Sequence, residues 1–101
     1  MSTLQWSRVA SRHLQLIAEF VRSYNPAQEI RIVDEILACA DQLRQLPRSG
    51  QLRERLSDGL EIRTLLVKSR YRLVYSVDEA AVVTILQILD LRSGDQAWQQ
   101  S

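Results

Sequence analysis

The chain opens on an alternation: Leu4 and Trp6 stand among Thr3, Gln5 and Ser7, the period of a brief strand. The period then lengthens. Ala10, Leu14, Ile17, Val21 and Tyr24 recur at spacings of three and four, one apolar stripe of a helix that Ser7 caps and that runs to about Tyr24. Asn25-Pro26 stops that helix, because proline disfavours the helical region for the residue before it. The same pair starts the next helix, with Asn25 as cap and Pro26 at the first helical position. This second helix is predicted over Pro26 to Leu46, roughly 30 Å long at ~1.5 Å per residue. Its stripe reads Ile30, Val33, Leu37, Ala40 and Leu43, widened by Ile36 and Leu46, and Pro47 and Gly50 end it. Two amphipathic helices joined by almost no loop pack as an antiparallel hairpin.

From Leu60 the spacing shortens again. Leu60 to Lys68 reads as a strand, Lys68-Ser69-Arg70 as a turn, and Tyr71 to Val77 as a second strand with Tyr71, Leu73, Tyr75 and Val77 on one face. Asp78-Glu79-Ala80 fits a tight connection, and Val82 to about Leu91 is a third strand whose continuous apolar content marks it as central or well covered. Links this short imply an antiparallel meander. The expected fold is α+β, in the order β-α-α-β-β-β, with a helical hairpin packed on one face of a twisted, mainly antiparallel sheet. No internal repeat or low-complexity segment interrupts it, and residues 1–101 read as a single domain.

Composition adds exclusions. Hydrophobic residues at 46% and charged residues at 25% fit an ordinary globular domain and exclude a disordered chain. No apolar run approaches the ~18 residues that cross a bilayer, and the opening residues resemble no secretory signal. The single cysteine, Cys39, has no disulfide partner in the chain, and a cytoplasmic protein is the expectation. The net charge of +1 hides an uneven distribution: residues 1–43 carry −1, residues 44–72 carry +5, and residues 73–101 carry −3. A basic centre between acidic flanks suits nucleic acid or an acidic protein partner; a solvated arginine-rich surface is the alternative.

Little catalytic chemistry is legible. There is no glycine-rich phosphate loop, no Cys/His set at metal-ligand spacing and no paired carboxylate, so no metal or cofactor is expected. Cys39, between Ala38 and Ala40, reads as buried filler, and the only histidine, His13, as a surface or boundary residue at the edge of the first stripe. What remains is arginine on a sheet. Arg63 and Arg72 fall on neighbouring strands and Arg92 follows the third; converging at one sheet edge they would bind an RNA backbone. The competing reading pairs each with a local acid, Glu61, Asp90 or Asp95.

Several fragments, in order, resemble the RelE/ParE superfamily of bacterial toxins from type II toxin–antitoxin modules. Leu4-Gln5-Trp6-Ser7 with Ala10 is similar to its opening strand and helix start, and Tyr24-Asn25-Pro26 to its helix junction. Leu46-Pro47-Arg48-Ser49-Gly50 resembles its exit from the second helix, and Gly59-Leu60-Glu61-Ile62-Arg63 its strand entry. Tyr71-Arg72-Leu73-Val74-Tyr75 is the most specific piece, and Ile85 to Leu89 followed by Asp90-Leu91-Arg92 resembles the last strand and its ending.

The resemblance implies one of two activities. RelE-like members are ribosome-dependent mRNA endonucleases; ParE-like members poison DNA gyrase and lack the nuclease residues. Here Asp90 occupies the family's terminal histidine position, Ser93 stands for the second arginine of the ending, and Lys68 is the only lysine. Arg63, Arg72 and Arg92 remain as phosphate-side candidates, but no general acid and base can be assigned, and Asp90 is a poor acid at neutral pH. The resemblance therefore points to the ParE branch, a toxin that acts on gyrase by binding and is neutralised by a cognate antitoxin in a hetero-oligomer. A ribosome-dependent endonuclease, or a decayed member that only binds antitoxin, are the alternatives. Target- or antitoxin-binding candidates are Arg63, Arg72, Tyr75, Arg92 and Trp98; Trp98 could equally pack back on the sheet.

Overall fold

Residues 2–92 are described by a computed structural model. Strand β1 (Leu4–Trp6) leads into helices α1 (Arg8–Tyr24) and α2 (Pro26–Gln42), then strands β2 (Gln51–Arg55), β3 (Glu61–Val67), β4 (Tyr71–Val77) and β5 (Val83–Asp90). The five strands form one sheet in the order β1-β5-β4-β3-β2; β1 runs parallel to β5 and every other pair is antiparallel. This is the expected α+β arrangement with one strand added.

Local signals act as the sequence implies. The Ser7 hydroxyl accepts from the Ala10 amide at 3.0 Å and donates to the Leu86 carbonyl at 3.1 Å, so the α1 cap also ties the helix to β5. Asn25 serves both helices: its amide donates to the Val21 carbonyl at 2.8 Å and its side chain accepts from the Gln28 amide at 3.4 Å. The β3–β4 turn holds Lys68 and Ser69 at φ values of 54° and 60°, a left-handed pair closed by the Arg70 amide on the Val67 carbonyl at 3.1 Å. Ala10, Ile17 and Val21 from α1 and Ile36, Ala40 and Leu43 from α2 and its exit meet Tyr71, Leu73, Tyr75, Val77, Val83, Ile85 and Ile88 of the sheet in one core.

Three expectations need correction. The second helix ends at Gln42 instead of Leu46: the amides of Leu43, Arg44 and Gln45 bond carbonyls three residues back, tightening the chain out of the α-helix before Pro47. Its buried stripe is Ile36, Ala40 and Leu43, flanked by Ile32 and Cys39, whereas Ile30 is 68% exposed and Leu37 42%. Apolar residues cover a wide arc of α2, and periodicity cannot say which edge of such an arc meets the sheet. His13 is buried, not superficial, and its Nδ1 accepts the Ile88 amide at 3.1 Å. Strand β5 carries an irregularity opposite Val74 and Tyr75, which turns a backbone donor toward α1, and the imidazole supplies an acceptor.

Strand β2 carried no legible signal. Gln51-Leu52-Arg53-Glu54-Arg55 is exposed along its length, has one apolar residue and lies at the sheet edge, so only backbone pairing to β3 defines it.

Candidate functional site

Sheet register separates the arginines. Arg63 lies opposite Tyr75, and so shares the face that carries the helices; Arg72 lies between Leu66 and Leu89, on the face that no helix covers. Arg92 follows the end of β5. The structure therefore does not bring Arg63, Arg72 and Arg92 to one phosphate-sized site.

Arg63 is occupied. Its Nε donates to Glu61 at 2.8 Å, and its Nη1 donates to the Gly50 carbonyl at 2.8 Å and the Arg48 carbonyl at 3.1 Å. Glu61 also receives Arg48 at 3.3 Å and Arg55 at 3.2 Å, and the Arg63 hydrogen bond foremost holds its carboxyl below the usual carboxylate range. Tyr75, fully buried, accepts the Gly50 amide on its hydroxyl at 2.9 Å, and burial pushes its phenol up. A Cβ on Gly50 would lie 2.5 Å from both the Thr64 carbonyl oxygen and that hydroxyl, so only glycine fits. Gly50, Arg63 and Tyr75, each from a different motif fragment, thus form one junction that fastens the exit of α2 to β3 and β4. Of the two readings of Arg63, the local acid pairing describes its surroundings.

Arg72 stands differently. With Arg53 and Thr64 it lines a shallow cavity of about 260 Å³ on the open face of the sheet. Arg53 donates to the Thr64 hydroxyl at 3.0 Å, and among the described residues no carboxylate comes within 4.0 Å of Arg53 or Arg72. Leu66, 52% exposed, and the partly covered Ile62, Val74 and Leu89 complete a face of aliphatic carbon and guanidinium. Arg53 was missed as a site residue because β2 has no periodic signature; its place in the basic block was the available clue.

At the far end of the sheet, Asp90 is buried, accepts the Arg92 amide at 3.0 Å, and lies 3.9 Å from the Arg70 guanidinium. Cys39 is partly covered, and burial raises its thiol, so it is no activated nucleophile. No cluster of three potential metal ligands occurs among the described residues. Trp98 and Asp95 lie outside the described residues.

A helical hairpin on one face of a β-meander, with an arginine-bearing open face opposite, defines a small α+β fold. A family model for the ParE toxin of the type II toxin–antitoxin system parDE matches residues 4–96, and the chain belongs to that family. A solved structure described as "Chromosomal ParDE TA system from P. aeruginosa" superposes with a TM-score of 0.72 at 22% identity, covering 89% of this chain and 96% of that one. No curated protein matches the sequence. The fold agrees with that of the solved structure.

Proposed function

We propose that this toxin acts by binding, with DNA gyrase as its target, and that a cognate antitoxin neutralises it by covering the open face of the sheet. The observation that carries the binding mode is the dispersal of Arg63, Arg72 and Arg92. Cleavage of a phosphodiester needs cations, an acid and a base around one phosphate, and here Arg63 is committed to Glu61 and two loop carbonyls. Family membership supports the antitoxin partner. The open face suits it: exposed Leu66 and half-buried Ile62 and Val74 offer apolar area, and Arg53 and Arg72 offer charge to an acidic segment. The cytoplasm, where gyrase works, is the place of action this reading implies.

The test is a supercoiling and cleavage assay with gyrase and the purified full chain. Accumulated cleaved DNA, relieved by antitoxin, is the expected result. Unimpaired gyrase with a folded protein would overturn the target assignment, and codon-specific cuts in translated mRNA would establish ribosome-dependent cleavage in its place.

A further inference from the structure

Where the β3–β4 turn meets the α1–α2 junction, the surface folds into a cleft of about 510 Å³, within the range of small-ligand sites. Neither Arg53 nor Arg72 lines it, so it is distinct from the open-face cavity. Four of its side chains are cations, Arg31, Lys68, Arg70 and Arg92, against one carboxylate, Glu35. They come from α2, from the β3–β4 turn and from the end of β5, so the fold assembles them, not a run of basic sequence. Asn25 and Gln28, at the start of α2, add the positive end of a 17-residue helix.

The floor of the cleft holds unmet donors. The Arg70 guanidinium lies 5.0 Å over the Tyr71 ring, reaches the Tyr24 hydroxyl at 3.3 Å and stands 3.9 Å from the buried Asp90 carboxylate behind the cleft, yet its Nε has no hydrogen-bond partner among the described residues. The Tyr71 hydroxyl has none either, although Tyr71 is only 2% exposed. Burial pushes this phenol up to about 12, so it remains a donor at any physiological pH. Both atoms are themselves buried, and interiors seldom leave donors unsatisfied. The complementary group is one that only accepts and carries high negative charge, which describes phosphate. Lys68 and Arg92 are exposed at the mouth, where an arriving anion meets them first. On the rim stands Tyr24, 53% exposed, with Phe20 outside the cleft against it, ring centroids 5.4 Å apart in an edge-to-face pair. Exposed aromatic faces beside cations are what a nucleobase stacks on once its phosphate is held.

We infer that this cleft binds the phosphate of a nucleotide, free or within a single nucleic-acid strand, through Arg70, Lys68 and Arg92, with Tyr24 as the stacking surface for the base. The inference does not depend on gyrase being the target, since it concerns the isolated chain.

Two probes test it on the purified full chain: pyrophosphate by calorimetry, and a fluorescein-labelled thymidine oligomer of about eight nucleotides by anisotropy. The pair Lys68→Gln/Arg92→Gln weakens both probes about tenfold or more, as loss of two phosphate contacts requires. Arg8→Gln/Arg12→Gln removes equal charge from α1 and leaves both within about twofold. Glu35→Gln tightens both. Tighter binding of the oligomer, weakened by Tyr24→Ala, identifies a strand as the source of the phosphate; tighter binding of pyrophosphate, indifferent to Tyr24→Ala, identifies a free anion. The proposal fails if the cleft variants and the α1 control bind alike. It fails equally if a glutamate-rich peptide of matched charge displaces both probes, which would make the cleft a site for acidic protein.

Discussion

Gly50→Ala is the sharpest perturbation of the junction beneath the family motifs. The new methyl would sit 2.5 Å from the Thr64 carbonyl oxygen and 2.5 Å from the Tyr75 hydroxyl, and 2.9 Å from a Tyr75 ring carbon. None of these is the free end of a flexible chain: one is strand backbone and the others belong to a fully buried ring. Forcing the methyl in costs about 1–3 kcal/mol of overpacking. The loop must also withdraw, breaking the 2.9 Å bond from the Gly50 amide and leaving a buried hydroxyl unpaired, about 1–3 kcal/mol more. A loss of about 2–6 kcal/mol follows. At about 4–8 °C per kcal/mol for a domain of this size, the melting temperature falls by at least about 8 °C. Thermal unfolding of the full chain, followed by far-ultraviolet circular dichroism, measures it. Tyr75→Phe costs less, about 1–2 kcal/mol, because it removes the hydroxyl and crowds nothing. In the double variant one of the two closest collisions disappears, so its cost is smaller than the sum of the single costs. A Gly50→Ala chain that melts within about 2 °C of the parent would refute the reasoning, since it would mean the loop moves freely from β3 and β4.

Other outcomes follow from the same geometry. Arg53→Glu with Arg72→Glu, both on the open face and free of ion pairs among the described residues, abolishes antitoxin or target binding in a pull-down while leaving the melting temperature within about 2 °C. Leu73→Ala empties a fully buried position of β4 and costs about 2–5 kcal/mol in denaturant titration. The Glu61 carboxyl is held below its unfolded value of 4.5, so its contribution is full above that pH and disappears as the pH falls through the depressed value. Acid titration of the parent therefore shows a loss of stability below pH 4.5 that is smaller in Glu61→Gln, where only other paired carboxylates such as Glu29 remain to be protonated. In an alkaline titration followed by phenolate absorbance, the Tyr71→Phe variant lacks a step near pH 12.

The elements with strong periodicity were legible, and the reasons are visible in single residues. Ser7 and Asn25-Pro26 bracket α1 and open α2 by local hydrogen bonding alone, so no tertiary information was needed to place them. Tyr71, Leu73, Tyr75 and Val77 alternate because one face of β4 is core and the other is not. Strand β2 was invisible for the opposite reason: an edge strand that packs on nothing has no side-chain requirement to write into the sequence. His13 was misplaced because its burial answers a backbone amide 75 residues away, which no local pattern records. The arginines show the same limit. Their types and spacing were read correctly, but whether Arg63 meets phosphate or the carbonyl of Gly50 depends on a loop the periodicity does not describe. The resemblance supplied the family because it rests on order along the chain, which survives such local uncertainty.

Strand β1 pairs with β5, so Gln5 bonds Thr84 across 79 residues and the Ser7 cap leans on the Leu86 carbonyl at the same separation. Pairings this distant are made late, after the entropy of the intervening chain has been lost. On a ribosome the two helices can form early, but the strand that lies beneath α1 is the last of the five described strands to be synthesised. A nascent chain stopped before residue 83 therefore holds a helical pair and a three-stranded meander without the strand that joins α1 and β1 to the sheet, and the fold closes only once β5 has been made.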